Sequence, residues 1–209
     1  MYTDTALSQA IFELLNDLEQ LIAEKAISLG LTEPLRDGAV KAYIYGGCAI
    51  HIYTNARGSN DLDAVLDGAK LLDLQSLVVE LDPVYFEDTE TNDESSLYWD
   101  DSFSTGIASI TPDFRENAVQ IGKFDGILHT YLISAVQIAV SKLSRLATDD
   151  LSDILSLYKK GLFTLEEFSE QAEEAILYSA TEASLRLNVD HAITIMKELE
   201  ANEDTESIQ

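Results

Sequence analysis

Residues 43–66, YIYGGCAIHIYTNARGSNDLDAVL, restrict the fold more than any other stretch. Tyr43-Ile44-Tyr45 is a short β-prone apolar run, and Gly46-Gly47 interrupts it. Cys48 to Asn55 reads as a short helix with Ala49, Ile52 and Tyr53 on one side, and residues 57–60 read as a turn. Asp61 to Leu66 returns as a second strand. Strand side chains alternate between faces, so Asp61 and Asp63 share one face, about 7 Å apart. Two carboxylates so placed repel each other unless a cation lies between them. Hard oxygen ligands at that spacing suit Mg²⁺, which in turn grips phosphates. The glycine pair stands at a strand end and helix start, where free backbone N–H groups attract anions. One element thus offers a phosphate cradle, Gly46 and Gly47, beside a metal platform, Asp61 and Asp63. The plainer reading of the same residues is an ordinary turn and two solvated aspartates.

The order apolar, Gly, Gly, thirteen residues, Asp, apolar, Asp, apolar resembles the nucleotidyltransferase superfamily of the polymerase-β type. The fuller wording, Gly46-Gly47-x-Ala49 and then Arg57-x-Ser59-x-Asp61-Leu62-Asp63, is similar to its bacterial abortive-infection and toxin–antitoxin branch. The resemblance implies an α+β fold: a mixed α/β sheet with flanking helices, followed by a C-terminal helical part. It implies transfer of a nucleoside monophosphate from an NTP to an acceptor, with Mg²⁺ on Asp61 and Asp63 in a one- or two-metal site. Arg57 and Ser59 then belong to the nucleotide-contacting set, Arg57 placed to pin a phosphate. The superfamily also uses a third carboxylate on a neighbouring strand, which helps to hold a second metal and takes the proton of the attacking hydroxyl. Asp100, at the end of Leu97-Tyr98-Trp99, is the first choice for that role. Asp101 follows it, and Glu80 or Asp82 qualifies if residues 77–81 form a strand.

The likeness continues in Ser141-Lys142-Leu143-Ser144-Arg145 and Asp149-Asp150-Leu151-Ser152-Asp153-Ile154. Related bacterial proteins carry a Lys-Leu-x-Arg helix followed by Asp-x-x-Asp-Ile, which Lys142, Arg145, Asp150 and Asp153 match. Lys142 and Arg145 lie one helical turn apart, and a cation there could meet triphosphate charge as it develops. The competing role for these four residues is an ion-pair lattice that locks two helices.

Charge decides which partners fit. Thirty-eight acidic residues against thirteen basic ones give a formal net charge of −25. Nucleic-acid affinity rests on Lys and Arg neutralising phosphates, so neither duplex DNA nor tRNA is an expected partner. A metal-bound nucleotide, a basic protein, or a protein whose nucleic-acid site this chain imitates remain. The rival to an enzyme is therefore a non-catalytic binding protein of the same fold, antitoxin-like or nucleic-acid-mimicking. Solubility alone also accounts for the charge. No apolar run reaches the length of roughly 18 residues that a membrane span needs. The N-terminus lacks a basic region followed by an apolar core, and the single cysteine makes no internal disulfide. These features point to the cytoplasm.

Along the chain, Leu7, Ile11, Leu14, Leu18, Leu21, Ile22 and Ile27 recur at helical steps and predict a helix over residues 4–29, closed at Gly30. A helical turn is expected at 32–34, a helix over 69–81, and strands at 41–45, 84–86, 97–99, 106–110, 118–121 and 127–133. The 127–133 strand is expected in the same sheet as Asp61. From Ser134 the pattern is helical only. Ser134 caps a helix over 135–146, Asp149 or Asp150 caps one ending near Lys160, and Thr164-Leu165-Glu166-Glu167 forms a capping box for the next. A last helix covers about 182–199. The expected organisation is an α/β domain over 1–133, a helical part over 134–200 and a frayed acidic tail over 201–209.

Overall fold

The computed structural model describes residues 1–31, 35–56, 58–68, 71–88, 93–103 and 109–206. The chain forms two compact units: Met1–Phe103 together with Arg115–Ile133, and Ser104–Phe114 together with Ser134–Gln209. No described helix is long and apolar enough to cross a membrane.

The first unit contains, in order, α1 (Ala6–Ser28), β1 (Val40–Ile44), α2 (Gly46–Thr54), β2 (Asp61–Leu62), β3 (Ala64–Asp67), α3 (Leu74–Val79), β4 (Val84–Asp88), β5 (Asp93–Trp99), β6 (Val119–Ile121) and β7 (Leu128–Leu132). Thr5 caps α1 by accepting from the Ser8 N–H. The apolar stripe of Ile11, Leu14, Leu18 and Ile22 is fully buried, each side chain contributing about 1.5–3 kcal/mol of transfer energy. α1 packs on β4, β5, α2 and α3.

The strands form two mixed sheets, ordered β3-β1-β7-β6 and β2-β5-β4. The segment expected as one strand over 61–66 is therefore split. Asp61 and Leu62 pair in parallel with Tyr98 and Trp99, while Ala64–Asp67 run antiparallel to β1. The chain crosses between the sheets at Asp63, whose carbonyl accepts from the Tyr45 N–H at the end of β1 (2.8 Å). β7 lies beside β1, so it shares a sheet with β3 and not with Asp61. β4 and β5 form an antiparallel hairpin whose tip, residues 89–92, lies outside the described residues. α3 is shorter than expected because Asp73 caps it late, accepting from the Ser76 N–H. The helical turn at 32–34 and most of the strand expected at 106–110 also lie outside the described residues.

The second unit holds α4 (Ala135–Ser141), a 3₁₀ turn (Lys142–Ser144), α5 (Thr148–Lys159), α6 (Leu165–Leu177) and α7 (Glu182–Glu206). Ser134 caps α4 through the Gln137 N–H. Leu146, at φ 46°, turns the chain before α5. The α5 cap position falls on Ala147, and Asp150 reaches back to its N–H (2.9 Å); neither Asp149 nor Asp150 is itself the cap. The capping box is present: Thr164 Oγ1 accepts from the Glu167 N–H, and Glu167 Oε2 from the Thr164 N–H. Ile138, Leu143, Ile154, Leu157, Phe168 and Met196 are buried in this unit. α7 continues into the acidic tail as far as Glu206.

Candidate active site

The parallel pairing of β2 with β5 builds the site. Asp61 stands opposite Tyr98 and Leu62 opposite Trp99, so the next step along both chains brings Asp63 level with Asp100. The Asp100 N–H donates to the Leu62 carbonyl (3.1 Å) and completes that register. Asp61, Asp63 and Asp100 are half-buried, and each offers a carboxylate oxygen within 4.8 Å of the other two. Among the described residues, Asp101, Glu80 and Asp82 take no part in this cluster. Asp101 points its carbonyl at Gln75 (3.0 Å), and Glu80 ends α3.

Each carboxylate is held by its neighbours. Ser59 Oγ donates to Asp61 Oδ1 (2.8 Å), and the Cys48 thiol donates to the Asp61 carbonyl (3.2 Å), tying α2 to β2. Asp100 Oδ1 accepts from the Ser102 N–H (2.9 Å) and hydroxyl (2.5 Å). Burial pushes the Asp100 carboxyl up. Hydrogen bonds from Ser102, the Asp63 carboxyl and the Phe103 N–H outweigh that and hold it below the ordinary carboxylate range.

Gly46 is built against Asp63. Its φ is +60°, and a Cβ there would lie 1.7 Å from Asp63 Oδ2. It begins α2 after an extended Tyr45 that makes no side-chain cap. An uncapped helix start leaves N–H donors for an anion, here within one residue of an acid that would hold a cation. The donor set fits Mg²⁺. Octahedral coordination at about 2.1 Å places neighbouring ligand oxygens about 3.0 Å apart and opposite ones about 4.2 Å apart. A spread within 4.8 Å therefore closes on one ion with small side-chain rotations.

Gly46, Gly47, Ser59, Asp61, Asp63 and Asp100 thus gather in the first unit. Arg57 lies outside the described residues. Lys142 and Arg145 belong to the second unit, where they are engaged with α5. Lys142 Nζ is 3.1 Å from Asp153 and 3.5 Å from Asp150. Arg145 grips both oxygens of Asp150 (2.7 and 2.8 Å), and Asp150 and Asp153 are buried. Ser102 went unread in the sequence, although Asp-x-Ser at 100–102 is the signature of an Asx turn.

Residues 8–196 match the model of a family described as nucleotidyltransferase of unknown function (DUF6036). No curated protein matches the chain.

Proposed function

The chain belongs to this family of nucleotidyltransferases, and on that premise we propose that it transfers a nucleoside monophosphate from a Mg²⁺-bound NTP to an acceptor hydroxyl. The observation that carries the proposal is the third carboxylate: Asp100 stands with Asp61 and Asp63, so the acid set that two-metal chemistry needs is complete. In this reading Asp61 and Asp63 hold the metal, and Asp100 shares it and accepts the proton of the attacking hydroxyl. The N-terminal amides of α2, from Gly46 and Gly47, receive triphosphate oxygens. Ser59 and Ser102 hold the Asp61 and Asp100 carboxylates, Gly46 leaves room for that of Asp63, and such outer contacts tune a metal site nearly as much as its ligands do. A bound Mg²⁺ supplies Lewis-acid charge for in-line displacement at phosphorus. Positioning is the protein's own share of the work.

The net charge of −25 supports a basic acceptor or partner over a nucleic acid, and it is also what a purely binding relative would show. The complete acid set favours the enzyme over that relative. The test is thermal unfolding with and without Mg²⁺–NTP, because a ligand selective for the folded state must raise the melting temperature. Wild type is expected to be stabilised, and Asp61→Asn and Asp63→Asn to lose that effect while remaining folded. Equal stabilisation of wild type and variants would make the acids structural.

A further inference from the structure

The β2-β5-β4 sheet has one face packed under α1 and one face open. Val84 and Leu97 are buried on the packed face. The open face is set by register: Tyr85 pairs with Ser96 and Glu87 with Glu94, and Asp61 with Tyr98. Paired residues share a face, and so do alternate ones along a strand. Asp61, Tyr98, Ser96, Glu94, Tyr85 and Glu87 therefore lie on the same side, with Asp100 one step beyond Tyr98. Tyr98 is 49% exposed and Tyr85 70% exposed, and Glu87 and Glu94 are exposed. β2, β4 and β5 contain no lysine or arginine.

We infer that this open face docks a basic polypeptide whose side-chain hydroxyl is the acceptor; the inference rests on the nucleotidyltransferase reading of the adjoining acids. Three features select that partner. Tyrosines this exposed leave a small ligand half in water, whereas small ligands choose concave sites that bury most of their surface. A strand face with exposed tyrosines suits a protein contact, in which tyrosine is a favoured anchor. The flanking glutamates, on three strands without a lysine or arginine of their own, repel a nucleic acid and complement Lys and Arg. The row leads from Glu87 and Glu94 past Tyr85 and Tyr98 to Asp61 and Asp100. A peptide held along it presents a Ser, Thr or Tyr hydroxyl at the acids. The hydroxyl oxygen forms a bond to the α-phosphorus of the NTP, and the bond from that phosphorus to the β-bridging oxygen breaks. Pyrophosphate leaves, and the hydroxyl proton passes to a carboxylate.

The test uses the full chain, fluorescent poly(Lys,Tyr) and poly(Lys,Ser) copolymers at near-physiological salt, and anisotropy to read affinity. Tyr85→Ser and the double variant Glu87→Lys/Glu94→Lys address the face. Glu166→Lys/Glu170→Lys, on exposed positions of α6, makes the same change in net charge elsewhere. The face variants are expected to weaken copolymer binding by about tenfold or more, as loss of an anchor does, and the α6 control by much less. Equal losses from the face and α6 charge changes, with Tyr85→Ser unaffected, overturn the inference. So does a single-stranded oligonucleotide that competes for the face, or a wild-type dimer that the face variants make monomeric. Thermal shift with Mg²⁺–NTP separates the two ideas. A shift retained in all these variants, with no face effect on the copolymer, sinks the docking surface alone. A face effect with no shift in wild type sinks the nucleotidyltransferase reading alone.

Discussion

Gly46→Ala is the sharpest perturbation the site allows. Two costs can be separated. Gly46 sits at φ +60°, and an L-residue in that region costs about 1–2 kcal/mol. The new Cβ would also lie 1.7 Å from Asp63 Oδ2, 2.6 Å from Cγ and 3.0 Å from Cβ. A carbon and an oxygen need about 3.3 Å, near the close end of ordinary packing contacts. The carboxylate oxygen must therefore move by at least about 1.5 Å, and the Asp63 stem must give as well. Overpacking of this kind costs about 1–3 kcal/mol, so the total is about 2–5 kcal/mol, towards the lower end because Asp63 is only half-buried. Trp99, the only tryptophan, stands in β5 opposite Leu62 and reports unfolding of this unit in urea. Stabilisation by Mg²⁺–NTP reports the site. Gly46→Ala should lose both stability and the ligand effect. Gly46→Ala/Asp63→Ala should relieve the carboxylate clash but retain the backbone strain, leaving about 1–2 kcal/mol. A Gly46→Ala protein with wild-type stability and wild-type response to Mg²⁺–NTP would refute the reasoning.

Other outcomes follow from named contacts. Ser59→Ala removes the hydroxyl on Asp61 Oδ1 and should weaken divalent-metal binding about 10-fold to 100-fold, as outer-contact losses do, with little change in urea stability; titration with Mn²⁺ checks this. Lys142→Met removes the ammonium beside buried Asp150 and Asp153 and should cost about 1–3 kcal/mol in the second unit, with Mg²⁺–NTP affinity unchanged; loss of triphosphate affinity at full stability would instead make Lys142 a phosphate ligand. For Asp150, burial raises the carboxyl, but the Arg145 and Ala147 hydrogen bonds and the Lys142 charge hold it below the usual range. A lowered folded value means a stabilising contribution that is complete above the unfolded value of about 3.9 and is lost as pH falls through the folded one. Asp150→Asn should therefore flatten the acid limb of the stability curve below about pH 4, which circular dichroism at several pH values measures.

The local signals in the sequence read well because their causes are local. The α1 stripe, the Ser134 cap, the Thr164–Glu167 capping box and the strand–Gly-Gly–helix turn each depend on residues a few positions apart. The division into two sheets was hidden because β2 is a two-residue strand whose partner, β5, lies across the intervening β3, α3 and β4. No period in residues 61–66 shows a crossing at Asp63. The same non-local register is what brings Asp100 level with Asp63, so its proximity was open among four acids until the pairing was known. The contact of Gly46 with Asp63 was invisible for the same reason. The α5 cap, expected at Asp149 or Asp150, falls two or three positions earlier at Ala147, because an aspartate at the third helical position and one at the cap satisfy nearly the same N–H groups.

The most direct test of the three-carboxylate site is electron paramagnetic resonance of Mn²⁺ titrated into the protein without nucleotide, so that loss of the free-ion signal reports the carboxylates alone. Wild type should deplete the free-ion signal, and Asp61→Asn, Asp63→Asn and Asp100→Asn should each restore it while the fold persists. Undiminished Mn²⁺ binding by the triple variant Asp61→Asn/Asp63→Asn/Asp100→Asn would contradict the metal role of the cluster.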